Sequence, residues 1–552
     1  MTREENLGQL KTETFDICII GAGASGAGCA LDAALRGFKV ALIEKKDFSS
    51  GTSSRSTKLV HGGVRYLEQA FKKFDFAQLR QVRHGLEERH YVIRNAPHLA
   101  RPLALLTPVA TWLSGLYFTI GLKLYSWIAG RRDTLPSSEW LSKKQALKRM
   151  PGLNGKILHS AVLYYDGQLN DARYCLALVH SADEAGAAVL NYAEVTGFDK
   201  DDSGQLESAR ILDGLSGEEY RIKAKLFINC TGPYSDHIRL MANPEQESRI
   251  RPSKGVHLML PYDTLGSEAA MLIPETKDGR VVFAIPFEDK VLLGTTDTDY
   301  RQLDEEPILE KQEVDYLLET LNRYLDQPVK TSDVKAGFGG LRPLVAASSR
   351  EDTKSLLRDH MVEHDQASGL LSLLGGKWTT YRLMAKDTID KACRILDIDA
   401  DCRTSDHYLV GGEGYDFAEW RQLARQYGFG EDTARHLLHN YGSRARQVAA
   451  YCDADPTLSV RLHENYPYIK AEVVYQVEEE MARTPRDILA RRIRLEILDW
   501  RVAHQITPEV SALIGSKMGW SEEEVRSYAR AYQEELEKWM KAAELPELVS
   551  GS

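Results

Sequence analysis

The stretch from Phe15 to Glu44 constrains the fold of this chain most. It opens with Asp16-Ile17-Cys18-Ile19-Ile20, a short apolar run rich in β-branched residues that predicts a buried parallel strand. Gly21-Ala22-Gly23-Ala24-Ser25-Gly26 follows at once. An Ala/Leu-rich helix is predicted to about Arg36, Gly37 ends it, and Val40-Ala41-Leu42-Ile43 predicts a second strand ending at Glu44. Such a strand–turn–helix–strand unit binds a dinucleotide. Gly21 permits the tight turn, Gly23 lets the backbone approach a pyrophosphate, and Gly26 lets the helix pack closely on the strand. The N–H groups at the helix start, Ser25 among them, then face the phosphates. Glu44 stands where a carboxylate accepts hydrogen bonds from ribose hydroxyls.

A chain of 552 residues exceeds one ordinary core, so two or three domains are expected. A net charge of −10 argues against a nucleic-acid partner. The seven cysteines are scattered and contain no CxxC, which fits reduced thiols in the cytoplasm and offers neither a zinc site nor a disulfide framework. Met1 to Thr14 is polar and lacks the apolar core of a signal peptide.

Beyond Glu44 the chain reads Ser49-Ser50-Gly51-Thr52-Ser53-Ser54-Arg55-Ser56-Thr57-Lys58, then Leu59-Val60-His61-Gly62-Gly63-Val64-Arg65-Tyr66-Leu67. Hydroxyls of Thr52, Ser53 and Ser54 can complete a pyrophosphate shell, and Gly62-Gly63 can let a flat ring lie on the backbone. This stretch resembles the signature of the FAD-dependent glycerol-3-phosphate dehydrogenases, whose FAD domain is shared with amino-acid oxidases. The resemblance recurs at Pro97-His98-Leu99, Asp171-Ala172-Arg173, Asn229-Cys230-Thr231-Gly232-Pro233, Lys254-Gly255-Val256-His257, Gly294-Thr295-Thr296-Asp297, Gly340-Leu341-Arg342-Pro343-Leu344 and Gly375-Gly376-Lys377-Trp378-Thr379-Thr380-Tyr381-Arg382. It runs in order through most of the first ~400 residues, beyond what a lone glycine motif supplies.

The expected fold is α/β, a Rossmann-type FAD-binding domain with an antiparallel-sheet substrate domain and a C-terminal helical domain. The expected FAD unit is discontinuous, at residues 15–75, 155–250 and 335–400; the substrate unit takes 76–154 and 251–334, and the helical unit 401–552. Leu226-Phe227-Ile228 predicts a buried strand whose carboxyl end carries Thr231 and Gly232 near the adenosine half of the cofactor. Val256–Leu260 and Val281–Ile285 alternate like antiparallel strands. Leu370–Leu374 predicts another strand, followed by Gly375-Gly376 and a helix from about Thr379 whose N-terminus meets the flavin edge.

Residues 103–130 are strongly apolar, with Lys123 the only charge, and Arg131-Arg132 follow. The plainest expectation is a buried helical hairpin; the functional alternative is an apolar face resting on anionic lipid. A span is disfavoured because Pro102 and Pro108 shorten the run. After about Ala400 charged amphipathic helices are expected. Ser521-Glu522-Glu523-Glu524 reads as a capping box, Thr484-Pro485 as a helix start, and Arg491, Arg492 and Arg494 as a solvated helix face.

Oxidising a secondary alcohol needs a hydride acceptor, a base for the hydroxyl proton and a clamp on the substrate. By the resemblance FAD is the acceptor, and sn-glycerol 3-phosphate becomes dihydroxyacetone phosphate. Arg65, Arg342, Arg358 and Lys377 match the family's substrate positions, with Tyr66 a further donor; guanidinium and ammonium groups suit a phosphate. Gly376, Lys377 and Thr379 lie in the turn beside the cofactor. His257 is the expected base, since imidazole titrates nearest neutrality, and Arg342 is the rival, better suited to stabilising an alkoxide. The expected electron acceptor is a quinone, reached from a peripheral position on the inner face of the cell membrane. An oxygen-using oxidase, an amine or amino-acid oxidase and a non-enzymatic dinucleotide-binding protein are the alternatives.

Overall fold

The computed structural model describes residues 1–63, 76–113, 115, 116, 121, 122, 135–274, 276, 281–346 and 360–546. Two sheets and a helical unit make up the described chain. In the first sheet, strand Thr14–Ile20 lies between Glu219–Asn229 and Val40–Ile43, parallel to both. Ala188–Leu190 extends it on one side, and Leu371–Gly375 and His360–His364 on the other. Thr14–Ile20 is almost wholly buried beyond its first residue, as a strand covered on both faces must be. Helix Ala24–Leu35 packs against Asp171–Glu184 and Tyr381–Leu396. Close approach to the last is possible because a Cβ on Gly28 would come within 3.0 Å of the Tyr381 ring.

Among the described residues the second sheet has ten strands. Its long members are Ala100–Val109 on Ser160–Leu169, and Ala336–Val345 on Ile250–Pro261, both antiparallel along their length. Lys290–Gly294, Val282–Phe287 and Ala270–Ile273 join the two pairs. Sheet membership puts Ser160–Leu169 and Ala336–Val345 with this second layer.

Two sequence expectations are corrected here. The front of the apolar run 103–130 is strand, not helical hairpin: Ala100–Val109 is sheet with Leu103, Leu105, Leu106 and Val109 buried. Pro102 and Pro108 explain this, since each disfavours helical backbone in the residue before it and breaks an α-helix. Residues 114, 117–120 and 123–130 of that run, and 131–134 after it, lie outside the described residues. No helix among the described residues is long and apolar enough to cross a membrane.

The second correction concerns Arg491, Arg492 and Arg494, which are 5%, 0% and 2% exposed rather than solvated. Pro485 does open a helix, but over Asp487–Arg492 it widens to a π-helix, and Arg494 then turns into left-handed backbone at φ 68°. Arg491 and Arg492 both reach the buried carboxylate of Asp47 at 2.5 Å. Further on, helices Trp500–Met518 and Glu522–Ala542, the latter with the expected Ser521–Glu524 capping box, share one apolar core with the second sheet through Trp500, Ile506, Leu536 and Trp539.

Candidate active site

The parallel strands end together, because their registers align Ile20 with Asn229 and Ile43, and Asn229 with Ser372. Every glycine turn singled out in the first sheet therefore opens at one edge, where ligands bind in such sheets. Gly21 has φ 99°, and a Cβ on it would sit 2.9 Å from the Cys230 carbonyl oxygen. A Cβ on Gly23 would be 2.8 Å from Ser53 Oγ, and one on Gly26 would fall inside the Gly21 carbonyl oxygen. The helix has no side chain at its Gly23 N-cap, and its first turn, Ser25 included, lies at this edge.

Glu44 closes this edge. Its carboxylate accepts the Ala22 N–H at 2.9 Å and the Lys46 N–H at 3.1 Å. Burial raises its proton affinity, and the two N–H donors work against that rise. Across the turn, Thr231 donates its hydroxyl to Asn229 Oδ1 at 2.7 Å, and Gly232 takes φ 56°. This is a cradle that side chains would fill and that presents backbone donors and one acid. Such a cradle fits the adenosine and pyrophosphate end of a dinucleotide, which Gly21, Gly23, Ser25, Gly26 and Glu44 could hold.

The loop after Glu44 ties this cradle to the second sheet. Ser53 Oγ accepts the Ala24 N–H at 2.9 Å, and its carbonyl accepts Trp378 Nε1–H at 2.8 Å. Thr52 donates to the Leu341 carbonyl at 2.7 Å, next to Arg342. The Ser54 carbonyl takes up Lys58 and Arg494. Gly62 and Gly63 follow a short strand, Leu59–Val60, with Gly63 at φ 84°. The His61 N–H donates to Thr379 Oγ1 at 3.3 Å, which brings the Gly62-Gly63 and Gly376-Lys377 turns together. Gly376 has φ 89°, and a Cβ there would press on Met384. Burial, then Lys377 and Arg89, pull the His61 imidazole down to about 4.

Pairing of Ile250–Pro261 with Ala336–Val345 sets the other half of the site. Its register places His257 opposite Phe338, Gly255 opposite Gly340 and Ser253 opposite Arg342, so by the two-residue period all six share one face. The His257 ring stacks on Phe338 at 4.9 Å and 19°. Its Nε2 lies 3.0 Å from Thr57 Oγ1, and its buried Nδ1 has no partner among the described residues. Burial holds its proton affinity well below the usual histidine range, with Lys58 and Arg342 adding to the effect. The Arg342 guanidinium lies over Gly255, donating to Thr295 Oγ1 and the Thr296 carbonyl at 2.9 Å each, beside Asp297 at 3.4 Å. Arg65, Tyr66 and Arg358 lie outside the described residues.

Sequence reasoning gave Thr57, Lys58, Asp171 and Arg494 no part in this site. Lys58 is fully buried, 2.8 Å from Asp171 and 4.7 Å from the Phe338 ring centre. All four lay inside stretches already noted, but nothing in their spacing says that they meet.

A family model described as FAD dependent oxidoreductase matches residues 16–382, and one described as the C-terminal domain of alpha-glycerophosphate oxidase matches residues 402–525. The chain is 43% identical over 536 residues to a probable mitochondrial glycerol-3-phosphate dehydrogenase of Caenorhabditis elegans, covering 95% of this chain and 74% of that protein. Against the mitochondrial glycerol-3-phosphate dehydrogenase of Homo sapiens the identity is 41%, covering 94% and 73%. Among solved structures, the FAD complex of glycerol-3-phosphate dehydrogenase from Bacillus halodurans matches with a TM-score of 0.80 and 28% identity, over 100% of this chain and 99% of that one.

Proposed function

Since the chain belongs to the glycerol-3-phosphate dehydrogenase family of FAD-dependent oxidoreductases, we propose that it oxidises sn-glycerol 3-phosphate to dihydroxyacetone phosphate. When bound, FAD supplies the acceptor for the hydride that leaves C2. The chain's own residues must then bind the phosphate, take the hydroxyl proton and keep water out.

His257 is our base. In the tautomer whose Nε2–H donates to Thr57, Nδ1 is the bare nitrogen that accepts the C2 hydroxyl proton. The low proton affinity of His257 suits an acceptor that starts neutral. Arg342 stabilises the developing alkoxide, and Arg65, Arg358 and Lys377 bind the phosphate with Tyr66 as a further donor. The observation that carries this reading is the shared face of His257 and Arg342 on a strand pair that Thr52 ties to the glycine-cradle loop.

Electrons leave to a quinone in our reading, and the protein works from the cytoplasmic face of the membrane as a peripheral protein. Exposed Trp112 and Leu113, at 58% and 71%, support an apolar contact there. One anaerobic titration tests the function: sn-glycerol 3-phosphate bleaches the flavin, whereas glycerol and amino acids do not. Bleaching by an amino acid instead would transfer the chain to the oxidases. Re-oxidation faster by a quinone analogue than by air is the result expected for a dehydrogenase.

A further inference from the structure

The C-terminal helical unit reaches the active centre through one buried carboxylate. Asp171 begins helix Asp171–Glu184 and is fully buried. Its Oδ1 accepts Arg494 at 2.9 Å; its Oδ2 accepts Lys58 Nζ at 2.8 Å, the Ser56 N–H at 2.9 Å and the Ser56 hydroxyl at 2.8 Å. Lys58 and Arg494 meet a second time on the Ser54 carbonyl, at 3.0 and 2.9 Å. Thr57 is thus held between two anchored neighbours, and its hydroxyl is the group on His257 Nε2. Lys58 also sits over Phe338, the ring on which His257 stacks.

Packing alone does not account for this arrangement. A buried ion pair is a weak source of stability, because desolvation consumes most of its attraction, and an apolar side chain would fill the space as well. Both cations moreover stand in left-handed backbone, Lys58 at φ 61° and Arg494 at φ 68°, which a non-glycine residue adopts at a cost. That cost is met where the geometry itself is needed.

We propose that Lys58 and Arg494, joined through Asp171, are positioning residues that aim Thr57 at His257, so that the C-terminal unit completes the active centre. The inference rests on His257 as the proton acceptor. It adds an electrostatic consequence. Lys58 is faced by Asp171, Arg494 and Arg55, and His257 by Lys58 and Arg342. An ammonium at this place disfavours a second positive charge on the imidazole. Replacing it with an apolar group raises the pH at which His257 becomes protonated.

Three variants and a control decide the matter: Lys58→Met, Arg494→Met, Arg494→Lys, and Arg3→Met, which breaks a comparably buried pair with Asp213. The FAD-loaded proteins are reduced anaerobically by sn-glycerol 3-phosphate across pH, and the resting proteins carry labelled histidine for NMR titration. For Lys58→Met we expect the acid limb of flavin reduction and the His257 titration to move up together by about one pH unit. For Arg494→Met we expect a limiting rate lower by about tenfold with substrate affinity retained, and recovery in Arg494→Lys. Arg3→Met lowers the melting temperature without moving either limb. If Lys58→Met does not fold, the Arg494 pair carries the test. Melting-temperature losses like that of Arg3→Met, with unchanged limiting rate, acid limb and histidine titration, overturn the proposal. A His257→Ala protein that still reduces flavin at the parent rate overturns the base assignment instead, and the NMR shift separates the two failures.

Discussion

Thr57 Oγ1 stands 3.0 Å from His257 Nε2, two residues far apart in the chain that meet where a loop of the first sheet crosses a strand of the second. The pairing uses up one ring nitrogen and leaves the other, buried, without a partner among the described residues. Asparagine at position 257 keeps a polar group but cannot take a proton. We expect His257→Asn to slow anaerobic flavin reduction by about 10²-fold or more while substrate affinity stays close to that of the parent. Stopped-flow reduction against substrate concentration reads both quantities. A parent-like limiting rate would remove His257 from the mechanism.

Gly26 tests the cradle. A methyl group there falls inside the Gly21 carbonyl oxygen, so helix and turn must separate. Gly26→Ala is expected to emerge with little bound flavin, seen as a loss of flavin absorbance relative to protein. Full flavin content would mean that the cofactor does not depend on this turn.

Arg342 is held by Thr295, the Thr296 carbonyl and Asp297, so its guanidinium is preorganised rather than free to seek an anion. Arg342→Lys should weaken substrate binding and slow reduction, because an ammonium lacks the planar fork. Arg342→Met should do both more severely, by about 10²-fold in the second-order rate of flavin reduction. Equal behaviour of the two variants would count against a role in charge stabilisation.

Glu306 gives a pH signature. Burial alone would raise its proton affinity, but Arg55 at 2.5 Å and Arg486 at 2.6 Å more than offset this, and the carboxyl is held well below its usual range. A depressed carboxylate stabilises the fold fully above its unfolded value, about 4.3, and the contribution drains away as pH falls below that. Glu306→Gln should therefore be less stable at neutral pH, and the gap should narrow on acidification. Denaturant midpoints at several pH values check this; a gap that widens in acid would refute the sign.

Arg492 is fully buried and binds Asp47 with two nitrogens, at 2.5 and 3.0 Å. Arg492→Met strips part of the compensation from a buried carboxylate, though Arg491 still reaches it. A loss of about 3 kcal/mol in unfolding free energy is expected, the low end for a broken buried pair. Arg526→Ala, on the solvent side of the last long helix, should cost about 0–1 kcal/mol.

Much of the first sheet was legible in the chain. Ile17–Ile20 and Val40–Ile43 announce buried strands by short continuous apolar runs, and Gly21, Gly23 and Gly26 announce the turn after the first, because these signals act within a few residues. The strand at Ile250–Pro261 was legible too, through its alternation. Local signals misled where two meanings share one composition. An apolar run suits a buried helix or a buried strand, and only pairing with Ser160–Leu169 made Ala100–Val109 a strand. Likewise Arg491, Arg492 and Arg494 read as solvated because their carboxylates, Asp47, Asp487 and Asp171, declare nothing at a distance.

In the chain alone the dinucleotide unit is written in short-range spacing, where backbone geometry and hydrophobic period leave few choices. The helical C-terminal part and the residue types that dehydrogenation requires came through resemblance to the glycerol-3-phosphate dehydrogenases. Tertiary structure alone decided that Thr57 meets His257, that Arg342 lies over Gly255, and that Arg494 reaches Asp171 and the Ser54 carbonyl. Those contacts join positions as much as 440 residues apart, from Ser54 to Arg494. They follow from strand register and from the burial of charge, and both are properties of the whole packed molecule.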